Sequence, residues 1–178
     1  METVLNAADE LKGCTGYDEV SLFSLSSGDY SYIHELVPQI IDRFSSEHVS
    51  VSLPSLRIDS FLKEDLERMQ SVRKAGLTFA PEAGTQRLRD AINKGVSEDD
   101  LLRAVGDAFS SGWNGVKLYF MIGLPTETEE DILGIAELAR KVSALFYSMP
   151  KEKRGKGLRL SVSASSFVPK PFTPFQWE

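Results

Sequence analysis

The stretch from Gly115 to Asp131, GVKLYFMIGLPTETEED, constrains this chain more than any other. It holds an apolar run suited to a buried strand, a glycine–proline turn, and a threonine placed to start a helix. Two similar passages precede it, EVSLFSLSSGDYS (Glu19 to Ser31) and GLTFAPEAGTQRL (Gly76 to Leu88). Strand, turn and helix repeated in this order predict an α/β fold with a parallel sheet, because parallel neighbours need a crossover between them. In such folds chemistry gathers at the C-terminal ends of the strands, where the strand-to-helix loops lie.

The alternation is regular along the whole chain. Strands are expected at Glu19–Leu25, Val49–Leu53, Gly76–Ala80, Val116–Ile122 and Leu158–Ala164. Helical periodicity covers Glu2–Lys12, with Val4, Leu5, Ala8 and Leu11 on one face, and Ser31–Ser46, with Ile33, Leu36, Val37, Ile40, Ile41 and Phe44 on one face. Pro38 falls inside the second of these and should kink it or delay its start. Ser60 caps a helix carrying Leu62, Leu66, Met69 and Val72, and a short helix follows at Thr85–Asn93. Ser97 with Asp100 reads as a capping box, Gly112 stops the helix it opens, and Thr128 with Asp131 starts a long helix. MPKEKRGKG (Met149 to Gly157) reads as a basic exposed loop, and the proline-broken tail FVPKPFTPFQWE cannot stay regular for long.

The parity of two strands carries functional information. In Val49–Leu53 the serines fall on one face, and in Leu158–Ser165 the polar residues again share a face. Buried parallel strands are normally apolar on both faces. Helices between successive strands favour a sheet with one face on the helices and the other lining a polar cavity. A half-solvated antiparallel sheet would alternate in the same way.

Bulk properties narrow the partners. A chain of 178 residues with 42% hydrophobic and 26% charged residues suffices for one domain with a real core. A net charge of −6 gives no global attraction to nucleic acid or an anionic membrane. No apolar run approaches the roughly 20 residues needed to span a bilayer, and the N-terminus lacks a signal pattern, so a cytoplasmic location is the expectation. The single cysteine, Cys14, rules out an intrachain disulfide and a cysteine-based metal site built from this chain alone. His34 and His48 are not spaced as metal ligands and read as surface or cap residues. The first residues look like an amphipathic helix cut open by a chosen start.

Five pieces, SLFSLSSGDYS, SLPSLRIDSF, LTFAPEAGTQRLRDAINKG, GVKLYFMIGLPTETEEDI and SVSASSFVPKPFTPFQW, together resemble the radical S-adenosylmethionine (SAM) superfamily. The wording is nearest to its cobalamin-domain-associated branch of Fe–S oxidoreductase-like proteins. The pieces span nearly the whole chain in the superfamily's order, and PKPFTPFQW is the most specific. The resemblance implies a partial (β/α)6 TIM-like barrel, here truncated to about five mainly parallel strands, the second to the sixth. It also implies SAM and a [4Fe–4S] cluster as cofactors, with cobalamin on a separate domain. The superfamily's CxxxCxxC cluster loop has no counterpart in this sequence. The chain therefore reads as a single domain cut from a longer enzyme, supplying the SAM cradle but not the cluster ligands, and inactive alone. An open barrel edge of this kind invites an artefactual dimer.

The resemblance also assigns candidate residues. Ser26, Ser27, Gly28 and Asp29 form a loop that would face the amino group of SAM, although Asp29 alone serves equally as a helix N-cap. Arg57 would pair with a carboxylate of SAM or substrate, or else with Asp59 at the surface. Glu82, in PEAGT, would accept hydrogen bonds from a ribose or an ammonium, or else simply favour a helix start. Lys117 shares a strand face with Tyr119 and needs a partner or water there. Ile122 and Gly123 would meet adenine through the backbone, although turn geometry also explains Gly123 and Pro125. Ser163, Ser165 and Phe167 would lie near the adenine end, Lys170 at the cavity mouth, and Phe172, Phe175 and Trp177 would pack as a strap. Two other classes stay open. One is a small barrel-like enzyme acting on a phosphate or sugar ligand with Glu82 and Lys117 as acid and base, and the other is a non-catalytic binding domain.

Overall fold

A computed structural model describes residues 1–22, 30–47, 49–52, 77–154 and 157–178. Within them the architecture is α/β, a parallel three-stranded sheet with flanking helices in the layout of a partial TIM-like barrel, and a second, two-stranded parallel pair. In chain order the elements are α1 (Glu2–Thr15), β1 (Glu19–Ser21), α2 (Ile33–Phe44), β2 (Ser50–Ser52), β3 (Leu77–Glu82), α3 (Gln86–Ala91), α4 (Glu98–Ser110), β4 (Gly115–Ile122), α5 (Glu129–Ser148) and β5 (Arg159–Ser166). The expected loop at Met149–Gly157 contains a helical turn, Lys151–Arg154. Arg154 closes it by donating from Nε to the Met149 carbonyl at 2.8 Å. The expected helix from Ser60, together with Ser26 to Asp29, His48, Arg57 and Asp59, lies outside the described residues.

The apolar periodicity explains what each element buries. On α2 the six residues of the predicted face, Ile33, Leu36, Val37, Ile40, Ile41 and Phe44, are all buried, and Pro38 sits within the helix. Ile40, Leu36 and Phe44 meet Leu5 and Ala8 of α1 and Val49, with Val20 and Val51 packed against them. Ile33, Val37 and Ile41 turn to the main core with Leu77, Phe79, Val116, Leu118 and Phe120 of the sheet and residues of α4 and α5. Phe109 of α4 meets Phe146 of α5 edge to face, with centroids 5.1 Å apart. Both long helices start as the sequence predicts. Ser97 and Asp100 cap α4 reciprocally, and Asp131 accepts from the Thr128 amide at the head of α5.

Register sorts the sheet into two faces. Leu77, Phe79, Val116, Leu118 and Phe120 are buried, whereas Thr78, Ala80, Lys117 and Met121 are half-buried and Tyr119 is exposed. Lys117 is level with Thr78 on one side and Ser161 on the other, Tyr119 with Ser163, and Met121 with Ser165. Laterally paired residues of a parallel sheet point the same way. On β3 and β4 one face therefore rests on the helices, and the other face of the sheet presents hydroxyls, a lysine and a tyrosine. By register the polar alternation of Leu158–Ser165 continues across β3 and β4, and the strands are parallel rather than a solvated antiparallel set, but on β5 the opposite face is left uncovered, with Val162 and Ala164 exposed.

Candidate functional site

The C-terminal edge of this sheet is built from two loops. Between Phe79 and Glu82 the pairing with β4 slips by a bulge, so that Glu82 falls beside Phe120. Glu82 has φ of 67°, the left-handed region that a side-chain-bearing residue seldom occupies. Such a conformation persists where its surroundings over-determine it, and it is a pointer to function. Here it is held from three sides. The Glu82 carboxylate takes a hydrogen bond from Lys94 Nζ at 3.0 Å. The next carbonyl, of Ala83, accepts from Arg89 at 2.9 Å. The following residue, Gly84, lies directly on α5, where a Cβ would stand 2.3 Å from the Asp131 carbonyl oxygen and 2.4 Å from the Ile135 nitrogen.

Arg89 is 1% exposed, an unusual place for a guanidinium. Burial pushes its pKa down, and the nearby charges of Glu98 and Asp90 push it back up. Its Nε and Nη2 donate to Gln86 Oε1. The cation thus ties the body of α3 to the loop carrying Glu82.

The second loop follows β4. Gly123 has φ of 79°, and no atom lies within 4 Å of where its Cβ would be. Its amide donates to Glu127 Oε2 at 2.7 Å. The Ile122 carbonyl accepts from the Phe167 amide at 2.8 Å, which extends the β4–β5 pairing past the end of β5. Leu124 turns inward onto Ala83 and Leu88. Beside this loop Met121, Phe167, Val168 and Phe175, with Ser166 and Lys170, line an open and mostly apolar cleft of about 340 Å³.

Asp131 joins the two loops. It is 2% exposed, yet it accepts from Thr85 at the end of one loop and Arg87 in the first turn of α3, and from the Thr128 amide and hydroxyl at 2.8 Å each on the other loop. Arg87 also donates to the Thr126 carbonyl at 2.9 Å. Burial alone would raise the pKa of this carboxyl. The hydrogen bonds from Thr85, Arg87 and Thr128 outweigh it and hold the group well below the usual carboxylate range.

The predicted residues fall as follows. Glu82, Ile122 and Gly123 come together at the C-terminal edge. Ser163 and Ser165 lie one strand over on the polar face, level with Tyr119 and Met121. Lys117 lies lower on that face, with Nζ 4.4 Å from the centroid of the Tyr119 ring. That cation–π contact is the partner a mid-strand lysine requires. Glu82 is level with Phe120, three residues beyond Lys117 and so roughly 10 Å away along the strand. Of the expected aromatic strap only Phe175 packs, edge to face on Phe167, whereas Phe172 is 99% and Trp177 90% exposed. Gly84, in a motif read for its ligand contact, is required first by helix packing. His34 is exposed on α2.

Arg87, Arg89, Lys94 and Glu127 were not singled out by sequence reasoning, and Asp131 was recognised only as a helix start. The Thr128/Asp131 spacing could have raised it, since a capping carboxylate has lone pairs to spare.

Among the described residues, no helix is long and apolar enough to cross a membrane. Comparison with known proteins places this geometry in a family. A curated relative, an uncharacterized protein of Methanocaldococcus jannaschii, is 38% identical over all 178 residues. The chain spans 36% of that relative's length. The family model of the Radical SAM superfamily matches residues 1–139, which cover β1 to β4 and the first half of α5. A parallel sheet, a polar inner face and a C-terminal edge of this form belong with that match: the chain is a member of the radical SAM superfamily.

Proposed function

We propose that this chain is the SAM-cradling part of a radical SAM enzyme of the cobalamin-domain-associated, Fe–S oxidoreductase-like branch. The cluster loop then belongs to another segment of the whole protein. The observation that carries the reading is Gly123. A left-handed glycine ends the central strand with open space above it, beside an apolar cleft and a strained carboxylate. A flat base can approach a backbone closely only where no Cβ intervenes.

SAM fits what the chain presents. Met121, Phe167 and Phe175 offer apolar surface for the nucleoside, the Gly123 backbone offers close approach, and the second lone pairs of Glu82 remain for a hydroxyl or ammonium. A [4Fe–4S] cluster does not fit this chain, whose one cysteine, Cys14, is exposed on α1. Bound at a reduced cluster, SAM supplies a 5′-deoxyadenosyl radical, the oxidising agent of this superfamily. The work of these residues is to bind, orient and exclude water. The hydroxyls of Ser161, Ser163 and Ser165 and the ring of Tyr119 line the wall a substrate would meet. Ser26 to Asp29 and Arg57 complete the cradle in this proposal, toward the amino and carboxylate groups of SAM.

The test uses the whole protein encoded by the gene, reconstituted with iron and sulfide and reduced. Release of methionine and 5′-deoxyadenosine from SAM is the expected result, and neither product from a protein with its cluster intact would end the reading. In the same protein Gly123→Val should weaken SAM binding at least tenfold. Its cost to folding should be only about 1–2 kcal/mol, from the positive φ. Glu82→Gln should weaken binding several-fold with little change in fold. Unchanged SAM affinity in both variants would move the nucleoside site elsewhere.

A further inference from the structure

We propose that Asp131 is a positioning residue that locks the loop after β3 to the loop after β4, so that Glu82 and Gly123 are presented to a ligand as one rigid edge. The ligand part of this statement rests on the cofactor reading above, whereas the mechanical part does not.

Two loops that leave neighbouring parallel strands are joined covalently only through α3, α4 and β4, a detour of about 40 residues between Glu82 and Gly123. Their relative position must be set by contacts across the gap. Leu124 against Ala83 and Leu88 is one such contact, but apolar packing has little direction. Asp131 adds direction. One of its oxygens takes the Thr85 hydroxyl and the other takes Arg87, the Thr128 amide and the Thr128 hydroxyl. Arg87 closes the circuit on the Thr126 carbonyl. Thr126 itself has φ of 66°, so both loops hold a side-chain-bearing residue in the left-handed region, Glu82 in one and Thr126, bonded to Arg87, in the other.

Packing makes the arrangement stiff. Gly84 and Gly134 lie face to face, and a Cβ on Gly134 would be 3.0 Å from the Gly84 backbone and 2.9 Å from Thr85 Cγ2. The loop therefore seats on α5 at the turn that carries Asp131. The geometry goes beyond a helix cap. A cap needs only Thr128 and Asp131, whereas Thr85 and Arg87 come from 46 and 44 residues away.

Hydrogen exchange on the ligand-free chain tests the clamp directly. In Asp131→Asn, the amides of residues 85–89 and those of 124–131 other than Pro125 should exchange about tenfold faster, both segments together. The amides of the β4–β5 ladder should stay within about twofold of the parent. Acceleration confined to 128–131 would reduce Asp131 to a cap and overturn the proposal. If Asp131→Asn loosens the whole fold, the double variant Thr85→Val/Arg87→Met decides, since it leaves the Thr128–Asp131 cap in place. It should still quicken exchange in both loops, and no change in 124–131 would overturn the clamp. SAM binding to the reconstituted whole protein separates the two claims. A clamp seen by exchange, with SAM affinity unaltered by Asp131→Asn, overturns the ligand part and leaves the mechanical part standing. Weakened binding of about tenfold supports both.

Discussion

Gly84→Val should be the most damaging single substitution in the described part of the chain, costing about 3 kcal/mol or more of folding stability. The reason is geometric. The new Cβ would stand 2.3 Å from a main-chain oxygen, 2.4 Å from a main-chain nitrogen and 2.7 Å from the Gly134 carbonyl carbon. None of these is the end of a flexible side chain, so relief requires moving α5 or the loop as a body. α5 cannot retreat easily, because Leu138, Val142 and Phe146 are fully buried on the sheet and α4. Overpacking usually costs about 1–3 kcal/mol, and a backbone collision lies at the top of that range or above it. Gly134→Ala is the graded comparison. Its Cβ meets Thr85 Cγ2 at 2.9 Å, which can rotate, and the Gly84 backbone at 3.0 Å. A loss of about 1–2 kcal/mol is expected there. Urea denaturation gives both values from the shift in midpoint at constant slope. A Gly84→Val midpoint within 0.5 kcal/mol of the parent would mean that the loop does not seat on α5 as described.

That contact also shows what a sequence can and cannot disclose. The parallel sheet was legible because strand, turn and helix recur with clear periodicity, and local signals of this kind survive in one dimension. The helix starts were legible for the same reason, since Ser97 and Asp100, like Thr128 and Asp131, are three residues apart. The polar face could be read from the alternation in Leu158–Ser165, but which hydroxyl stands beside Lys117 depends on register, and register is a property of two strands. The reading of PEAGT illustrates the limit. Glu82 in that motif reads as a ligand contact, whereas nothing local announces that Gly84 two residues on must admit a helix, which only the placement of α5 decides. Arg89 was invisible for a related reason. A buried arginine is rare, and the carbonyl it satisfies belongs to a loop whose path follows from the bulge at Phe79/Glu82. Phe172 and Trp177 erred in the opposite direction, where large aromatic residues were expected to pack and are exposed. Hydrophobicity says what a side chain prefers, and it does not say that a surface lies within its reach.

Asp131→Asn should change the shape of the stability–pH curve as well as its height. The carboxyl is held below its ordinary value of 3.8 in the folded protein. Well above that value both folded and unfolded states are ionised, and the stabilisation from its hydrogen bonds is fully present. As pH falls through the unfolded value, the unfolded chain takes up a proton that the folded chain resists. Stability is then lost progressively toward the lower, folded pKa. Asparagine cannot titrate, and it offers one acceptor oxygen where the carboxylate offers two, leaving donors of Thr85, Arg87 or Thr128 unmatched. At pH 7 the variant should be less stable by about 2–3 kcal/mol. The gap should narrow as pH falls from about 5 toward 2. Asp100 is also held low, by Ser97 first and then by Arg103, but it titrates in both proteins and cancels from the difference. The measurement is therefore a difference curve from denaturant midpoints at a series of pH values. Parallel curves from pH 7 to 2 would mean that Asp131 is not ionised against these partners, and the junction between the two loops would then need another explanation.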